Sequence, residues 1–529
     1  MKVTIVGSGP AAAAAALALL REQRCEVEIL DVGERLEDQR RVLLESVTDR
    51  RPAQWPADAL GELSHQPVAE KKGELPQKRL FGSDFPFRNA GQLDALTAGD
   101  GGNLLAVSGA FGGFSNAWGA QVMPFSRPTL EQWPAGYEAM LPHYRAVLEH
   151  IPFTGVDDDY SDWFPLLAPA DPPPTLAAPA AAVLHRYAAR REGVRSRGVT
   201  MGTARLAMNA PKCIECGLCL TGCPYGLVYA SAHTLQPLIE RGAVTYHGGL
   251  LVLRVGEDEQ GCWIEVRDLA TGTVRTVRTD RILLAGGGLG TTRITLNSIR
   301  PGITRLTLAE SMQLVLPFIS VRAQRDPRTY STFTLNQFNM LVEYGTRGLD
   351  LAQIHLYPYN PAFEDALPGP LRRSALTRRA VLRRVTAGLG YLPSWASPSV
   401  NVDVTRSNGD ALPSIHLSTR RNAATRGALT RVLSRMVAVA PALDLWPVIP
   451  SLRLSGPAKS YHFGGSFPHV HARPRAGELE TDDLGRPREW SRIHLIDASV
   501  FPSVAATTFT LTVMANAHRI ATAVAEEDA

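Results

Sequence analysis

The sequence predicts an α/β fold with a parallel-sheet domain and a second domain that mixes strands and helices. Residues 2–7 are typical of a short buried strand, residues 11–24 of a helix built from good helix formers, and residues 25–32 of a second strand. This βαβ opening predicts a parallel sheet. Residues 244–284 alternate apolar and polar side chains, which predicts an antiparallel meander leading into a buried strand. Residues 301–455 mix strand-like and helical segments without a glycine fingerprint.

The same segments predict how the chain divides into domains. At 529 residues the chain is long enough for two of them. We expect residues 1–300 and 456–529 to form one discontinuous nucleotide-binding domain, because glycine turns, a strand and a final helix return after residue 455. Residues 301–455 are then the substrate-binding domain.

Composition and charge are ordinary for a globular enzyme. Charged residues make up 20% of the chain and the formal charge is only +4, which gives no argument for nucleic-acid binding. The first predicted strand begins at residue 2, and the sequence shows neither a secretory signal nor an uncharged apolar run of about 18 residues. We therefore expect a cytoplasmic protein without a transmembrane segment.

One segment is strongly basic. Residues 371–385 place six arginines and no acid on a predicted helix. This pattern is typical of a solvated helix face, and the alternative is a peripheral contact with a membrane surface or an acidic partner.

The segment GSGPAA, between the first strand and the first helix, predicts a dinucleotide-binding turn. Gly7 permits the tight turn, and Gly9 lets the backbone approach a pyrophosphate at the positive end of the helix. The small side chain of Ala12 allows close packing of helix on strand. Asp31 closes the second strand, where an acid would accept hydrogen bonds from an adenosine ribose. The alternative is a bare structural turn, and the pattern alone does not distinguish FAD from NAD.

The segment PKCIECGLCLTGCPYG, residues 211–226, holds four of the six cysteines. Its spacing, C-x2-C-x2-C-x3-C-P, is the run that bacterial ferredoxins use to hold an iron–sulfur cluster. A zinc site is an alternative, although zinc sites usually separate two cysteine pairs by a longer loop, and a structural or vestigial motif is another. Because only Cys25 and Cys262 remain elsewhere, at most one all-cysteine cluster can form.

Four blocks of sequence resemble the glucose–methanol–choline (GMC) oxidoreductases, in the order of that family. They are the glycine turn, SGAFGGFSNAWG (108–119), LLAGGGLGTTRITLNS (283–298), and a C-terminal block that runs from YHFGGSFP through IHLIDASVFPSVAATTFTLTVMANAHRIA. The resemblance implies a Rossmann-like FAD-binding domain, an inserted substrate-binding domain built on an antiparallel sheet, and an enzyme that oxidises alcohols with FAD.

The resemblance also implies which residues hold FAD. Those at the ADP half would be Gly7, Gly9 and Asp31, with Ala12 as the small third residue of the same cofactor-binding motif. Those along the pyrophosphate and the isoalloxazine would be Gly112, Gly113, Ser115 and Asn116. Those at the ribityl and pyrophosphate region, near the C-terminal strand, would be Asp497 and Ala498.

Two further positions match the active-site positions of the family. His462, in YHFGG, matches its active-site histidine, and a histidine suits removal of a hydroxyl proton because its ordinary pKa of about 6.5 lies near working pH. The second position, which is His or Asn in the family, falls on Thr508. Threonine departs from the pattern, but its hydroxyl could still hydrogen-bond the substrate oxygen.

The cysteine run resembles that of the GMC sugar dehydrogenases that carry a three-iron cluster, which show C-x5-C-x3-C-P. Cys213, Cys219 and Cys223 reproduce that pattern, and Cys216 is additional. As a fourth thiolate, Cys216 would favour a 4Fe–4S cluster, with 3Fe–4S as the alternative.

Together these features predict a GMC-type FAD-dependent alcohol dehydrogenase. The expected substrate is a small-molecule alcohol, a sugar, aminosugar or polyol, for which the polar aromatic stretch 351–360 could line a pocket. Electrons would leave through the cluster to a one-electron or quinone acceptor. One alternative is a flavin oxidase, isomerase or reductase acting on a hydrophobic alcohol or enone, with a structural cysteine motif. Another is an electron-transfer flavoprotein subunit without alcohol chemistry.

Overall fold

The fold is described from a computed structural model of the chain. The structure describes all residues except 22–23, 67–77, 89–96, 100–104, 300–302, 346–347, 361–373, 407–411, 472–478 and 528–529. The strands are β1 Lys2–Val6, β2 Glu26–Leu30, β3 Thr97–Gly99, β4 Val199–Thr203, β5 Val244–His247, β6 Leu250–Asp258, β7 Gly261–Asp268, β8 Val274–Thr279, β9 Arg281–Leu284, β10 Arg305–Glu310, β11 Gln313–Ile319, β12 Phe338–Glu343, β13 Leu351–Tyr357, β14 Val385–Tyr391, β15 Ser399–Thr405, β16 Ser414–Arg420, β17 Trp446–Pro447, β18 Arg453–Leu454, β19 Phe463–Gly464 and β20 Ile493–Leu495. The α-helices are α1 Pro10–Arg21, α2 Asp38–Val47, α3 Ala59–Ser64, α4 Arg127–Leu130, α5 Gly136–Leu148, α6 Ala178–Ala189, α7 Arg191–Arg195, α8 Ser231–Glu240, α9 Gly287–Ser298, α10 Ala375–Leu382, α11 Ala424–Leu443 and α12 Thr510–Glu527.

A five-stranded parallel sheet in the order β20-β9-β1-β2-β5 forms the centre of the first domain. The alanines of α1 are buried, which lets this helix lie close against the sheet and against α12. Because the sheet is parallel, the carboxyl ends of its strands share one edge, where α/β folds bind their ligands. The predicted α/β fold is confirmed, with parallel and antiparallel sheets in one chain.

The predicted meander is confirmed for β6, β7 and β8, which form a three-stranded antiparallel sheet. The first four residues of the predicted stretch differ from the expectation. Val244–His247 (β5) pairs parallel with β2 and forms an edge of the central sheet. Strand alternation is local, whereas the choice of pairing partner depends on the rest of the fold.

The second domain is built on a seven-stranded sheet that contains the path β17-β11-β14-β13-β12-β4, with β18 paired to β11. One face is apolar and packs on α11, where Met340 and Ile354 meet Val432 and Met436 in a single core. The opposite face carries buried polar side chains, described below. β4 lies outside residues 301–455 but pairs with β12, and the division of the chain at residues 300 and 455 stays a prediction.

A further sheet, in the order β19-β10-β15-β16-β3, connects the C-terminal segment to the second domain. β10 pairs antiparallel with β19, and the amide of Ser311 donates to the carbonyl of His462 at 2.8 Å. The backbone around His462 is therefore held between the two domains.

Candidate active site

The glycine turn lies at the carboxyl edge of the parallel sheet and leaves open space beside its second glycine. Gly7 has a φ of 102°, and a Cβ added there would lie 2.6 Å from the carbonyl oxygen of Ala285. A Cβ added to Gly9 would meet nothing within 4 Å. A Cβ added to Gly113 would lie 3.3 Å from the Cα of Gly9, so the two predicted cofactor loops converge. We call the open space beside Gly9 and Gly113 the cradle. It suits a ligand group that must approach the backbone closely.

Asp31 is buried at the end of β2 and is held by two hydroxyl groups. Ser8 Oγ donates to Asp31, and Tyr246 OH donates to it at 3.0 Å. Burial raises the pKa of Asp31 to about 6, and these hydrogen bonds act in the opposite direction. Ser8 Oγ also accepts a hydrogen bond from the amide of Gly112 at 3.0 Å. The predicted ribose acid is thus connected through Ser8 to the loop of residues 112–119, which we call the flavin loop because it is predicted to lie along the isoalloxazine.

Ser115 and Asn116 stabilise the loop that contains them. Ser115 Oγ donates to the carbonyl of Gly112 and accepts from the amide of Ser231 at 2.8 Å. Asn116 Nδ2 donates to the carbonyl of Gly113 at 2.8 Å. These hydrogen bonds hold the backbone of the loop in place, and the backbone of Gly113 faces Gly9 across the cradle.

Asp497 is buried beside the C-terminal strand and is engaged within the protein. It accepts hydrogen bonds from Thr291 Oγ1 and from the amide of Ser499, at 2.9 Å for the latter, while burial raises its pKa. The carbonyl of Ala498 accepts from the amide of Gly465 at 2.8 Å. These two residues tie the strand end to α9 and to the turn after His462. The predicted FAD positions described above thus lie around the carboxyl edge of one sheet, while Ala12 is buried in the first turn of α1.

His462 presents a buried ring nitrogen without a hydrogen-bond partner. The side chain is half-buried, and its Nδ1 has no partner among the described residues. The ring stacks on Tyr391, with 4.5 Å between centroids, and packs T-shaped against Phe509, with 4.8 Å between centroids. Burial lowers the pKa of His462 to about 4, so the imidazole is neutral at pH 7.

Thr508 presents a second unpartnered polar atom close by. Its Oγ1 is buried and makes no hydrogen bond within the described part of the chain. The next residue, Phe509, contacts the His462 ring, so the structure brings the two predicted active-site residues into one neighbourhood. Buried hydroxyl groups are usually hydrogen-bonded, so this atom is available to a partner from outside the chain.

A cluster of buried amides and a histidine faces the same region, and the sequence did not predict it in full. Gln121 Nε2 and His355 Nε2 lie 2.9 Å apart, and Asn336 Nδ2 donates to Asn339 Oδ1 at 3.0 Å and to Gln121. The His355 ring packs on Tyr391 with 5.2 Å between centroids, on the side of the sheet that faces His462. The predicted pocket stretch 351–360 contributes His355, because alternate residues of β13 point to this face.

The amide cluster retains unsatisfied polar atoms. Asn336 Oδ1 and Asn339 Nδ2 are buried and have no hydrogen-bond partner among the described residues. Burial, and secondarily His462, lowers the pKa of His355 to about 3, so this imidazole is also neutral. The amide cluster therefore offers one hydrogen-bond donor, Asn339 Nδ2, and one acceptor, Asn336 Oδ1, and its histidine is uncharged.

The four clustered cysteines lie in one loop and influence one another. Burial raises the pKa of Cys213 to about 11 and that of Cys216 to about 12, with smaller contributions from the neighbouring thiols. Backbone amides point at two of the sulfurs: Glu215 N lies 3.4 Å from Cys213 Sγ, and Thr334 N lies 3.4 Å from Cys219 Sγ. Such N–H···S contacts accompany cluster ligands and adjust their redox potential.

These thiols do not converge as a ligand set in this structure. Within the described ranges, which include all four cysteines of the loop, no three His, Cys, Asp or Glu side chains are grouped so as to hold a metal ion. The donor chemistry fits an iron–sulfur cluster, but the arrangement of the sulfurs does not support one. The cluster stays a prediction.

Lys78 lies between the cysteine loop and the flavin loop, and no pattern in the sequence indicated it. Its Nζ donates to the carbonyl of Ala117 at 3.0 Å. Burial lowers the pKa of Lys78 to about 8, and the nearby Cys219 acts in the opposite direction. Trp118 Nε1 donates to the carbonyl of Tyr229 at 2.8 Å, so the chain just after the cysteine loop also packs against the flavin loop.

Comparison with known proteins supports the fold. No protein-family model matches the chain, and no curated protein matches its sequence. Many solved structures are similar to it, and one is the crystal structure of pyridoxine 4-oxidase from Mesorbium loti. The similarity has a TM-score of 0.58 at 12% sequence identity, and it covers 99% of this chain and 98% of that one. The chain therefore shares the fold of that oxidase over nearly its whole length.

Proposed function

We propose that this protein is an FAD-dependent oxidoreductase that oxidises a CH–OH group to a carbonyl. The observation that carries the proposal is the pair of buried, unpartnered polar atoms, His462 Nδ1 and Thr508 Oγ1, in one neighbourhood. A substrate alcohol would satisfy both atoms at once. The structurally similar pyridoxine 4-oxidase is named an oxidase, which is consistent with an oxidation.

FAD fits the cradle at the carboxyl edge of the parallel sheet. Gly7 and Gly9 would approach the pyrophosphate, Asp31 would receive the ribose hydroxyls, and the loop of Gly112 and Gly113 would lie against the isoalloxazine. The open space beside Gly9 is the observation that fits this group. When bound, FAD supplies the acceptor for the hydride that leaves the substrate carbon.

The chain itself would bind, orient and deprotonate the alcohol. Neutral His462 can accept the hydroxyl proton at Nδ1, and the stack on Tyr391 holds the plane of its ring. Thr508 Oγ1 would donate a hydrogen bond to the substrate oxygen. Because both atoms are screened from water, the proton has no competing partner there.

A sugar, aminosugar or polyol is the substrate class that we propose. Asn336 Oδ1 and Asn339 Nδ2 supply one acceptor and one donor beyond those that a simple alcohol requires. An apolar substrate would leave both amide atoms unsatisfied, at about 1–3 kcal/mol each. A polyhydroxylated substrate would pair with them, so the site favours such molecules.

We further propose that the enzyme is a dehydrogenase with one iron–sulfur cluster on Cys213, Cys216, Cys219 and Cys223. The ferredoxin-like spacing, the amides directed at two of the sulfurs, and the link through Lys78 to the flavin loop support this proposal. When bound, the cluster supplies one-electron transfer to an external acceptor.

A flavin oxidase with a structural cysteine loop is the second candidate. Two observations favour it: the described residues contain no convergent metal-binding group, and the structurally similar protein is named an oxidase. Oxygen consumption during turnover, by protein that contains flavin but no iron, would establish this candidate.

Anaerobic purification tests the proposals separately. FAD, iron and sulfide are quantified in the purified protein, and flavin reduction is followed after addition of a panel of sugars, polyols and apolar alcohols. We expect reduction by a polyhydroxylated substrate in the wild type and loss of it in His462→Gln and Thr508→Val, both with full FAD content. If no alcohol reduces the bound flavin, or if His462→Gln is reduced at the wild-type rate, the alcohol chemistry is wrong.

A further inference from the structure

Exposed apolar side chains gather at one edge of the seven-stranded sheet. Val321, just after β11, is 72% exposed, and Leu376 on α10 is 81% exposed. Trp446, Ile449 and Leu454 are also exposed, at 37%, 42% and 45%. Large apolar side chains that cluster on a surface indicate an interaction site.

Strand pairing places these residues on the same edge. Ile319 of β11 pairs with Trp446 of β17, and Leu314 of β11 pairs with Leu454 of β18. Trp446 therefore lies next to the end of β11, where Val321 follows. Leu454 lies opposite Leu314, near the other end of β11, so the apolar surface of the edge centres on Ile319, Val321 and Trp446.

Helix α10 is fixed to this region at its carboxyl end. The amide of Ser320 donates to the carbonyl of Arg384 at 2.9 Å, and Arg383 Nε donates to the carbonyl of Gln324 at 2.7 Å. Arg379 forms an ion pair with Asp326 at 3.1 Å. The helix is largely exposed, with only Leu382 buried. It carries the described part of the predicted basic segment, of which residues 371–373 lie outside the described residues.

The same region concentrates positive charge. We call the surface of residues 319–328, 375–384 and 446–454 the basic edge; it contains eight arginines and one aspartate. The charge of these three segments exceeds the +4 of the entire chain, so the remainder of the protein is net negative. The positive charge is thus local to the apolar surface.

We propose that the basic edge binds the surface of an anionic lipid membrane. Exposed apolar side chains together with arginines are the composition of peripheral membrane-binding surfaces, in which the apolar groups enter the interface and the cations meet lipid phosphates. A second copy of this chain would bring two positive surfaces together, which disfavours self-association through this edge. Among the described helices, none is both long and apolar enough to cross a bilayer, and the proposed contact requires none.

Vesicle binding by the full-length protein tests the proposal without any turnover, and so independently of the proposed reaction. The protein is sedimented with vesicles of phosphatidylcholine alone and of phosphatidylcholine mixed with phosphatidylglycerol, at low and at high salt. We expect binding to the mixed vesicles at low salt and its loss at high salt, because surface charges are screened. Binding to both vesicle types alike, or to neither, would overturn the proposal.

Variants identify the surface. We expect Val321→Asp with Leu376→Asp to weaken binding at least about tenfold, and Arg322→Gln with Arg325→Gln to weaken it by about fivefold per arginine. Val274→Asp and Arg275→Gln are matched controls, since both residues are exposed on β8 of the first domain, and they should bind as the wild type does. Unchanged binding by the basic-edge variants would overturn the proposal. The proposal would also be overturned if light scattering showed that the wild-type protein is a dimer and that the basic-edge variants, but not the controls, are monomers.

Discussion

The phenol ring of Tyr391 stacks face to face on the imidazole of His462, with 4.5 Å between centroids and 17° between planes. Tyr391 ends β14 of the seven-stranded sheet, whereas His462 directly precedes β19. Phe509 packs at nearly a right angle to the same imidazole, with 4.8 Å between centroids. The plane of the proposed catalytic base is therefore set by an aromatic contact between a strand of one sheet and the residue that precedes a strand of another.

Removal of this stack should slow the chemical step without loss of FAD. In Tyr391→Leu we expect flavin reduction to fall by about 10- to 100-fold, because a misplaced base loses its alignment with the hydroxyl proton. Tyr391→Phe keeps the ring and loses only the hydroxyl contact with Gln313, so its rate should stay near that of the wild type. Anaerobic stopped-flow reduction measures both. Equal rates in the Leu and Phe variants would contradict the role of the stack.

The pH dependence of the reaction should reflect a histidine with a lowered pKa. Because burial lowers the pKa of His462 to about 4, the neutral base is present throughout pH 5–8 and is lost only as pH falls through about 4. We expect kcat/KM to show no acid limb near the ordinary histidine value of about 6.5. A profile measured within the pH range where FAD stays bound checks this. An inflection near 6.5 would show that His462 is solvated or is not the base.

The structure also shows which features the sequence could reveal. The parallel sheet was predictable because residues 2–7 and 25–32 carry the pattern of buried strands within a few positions, and the glycine turn between them is equally local. The pairing of Val199–Thr203 with β12 was not, because the partner of a strand is decided by segments far away in the chain.

The residues of the candidate site also differ in whether the sequence could predict them. His462 and Thr508 were identified from short motifs, and both prove to carry buried unpartnered atoms. The amide cluster was missed because Gln121, Asn336 and Asn339 come from segments that strand register alone brings together, and none of them belongs to a recognisable motif. The cysteine spacing predicts a ligand set, but spacing does not fix how closely the sulfurs approach.

Substitutions at Gly7 and Gly9 should have different effects: the first should destabilise the fold, and the second should weaken FAD binding. Gly7→Ala places a Cβ 2.6 Å from the carbonyl oxygen of Ala285 at a φ of 102°, so we expect a loss of roughly 1–3 kcal/mol in the free energy of unfolding. Gly9→Ala meets no atom within 4 Å, so the FAD-free protein should keep its stability while FAD affinity falls. Thermal unfolding with and without FAD measures both. Wild-type FAD binding by Gly9→Ala would show that the open space beside Gly9 is not the pyrophosphate site.

Substitution of Cys216 tests the proposed cluster and decides whether it has three or four irons. If Cys216 is the fourth ligand, the oxidised wild type holds a 4Fe–4S cluster without a paramagnetic signal, and Cys216→Ser should lose about one iron per protein and gain the resonance of an oxidised 3Fe–4S centre. Cys262→Ser is the control, because Cys262 lies in the β7 meander with its thiol donating to the carbonyl of Asp280 at 3.4 Å, and it should leave iron and spectrum unchanged. A paramagnetic wild type whose iron content Cys216→Ser does not alter would make Cys216 a bystander. Wild-type protein with one FAD and no iron would remove the cluster and leave the cysteine loop a structural element.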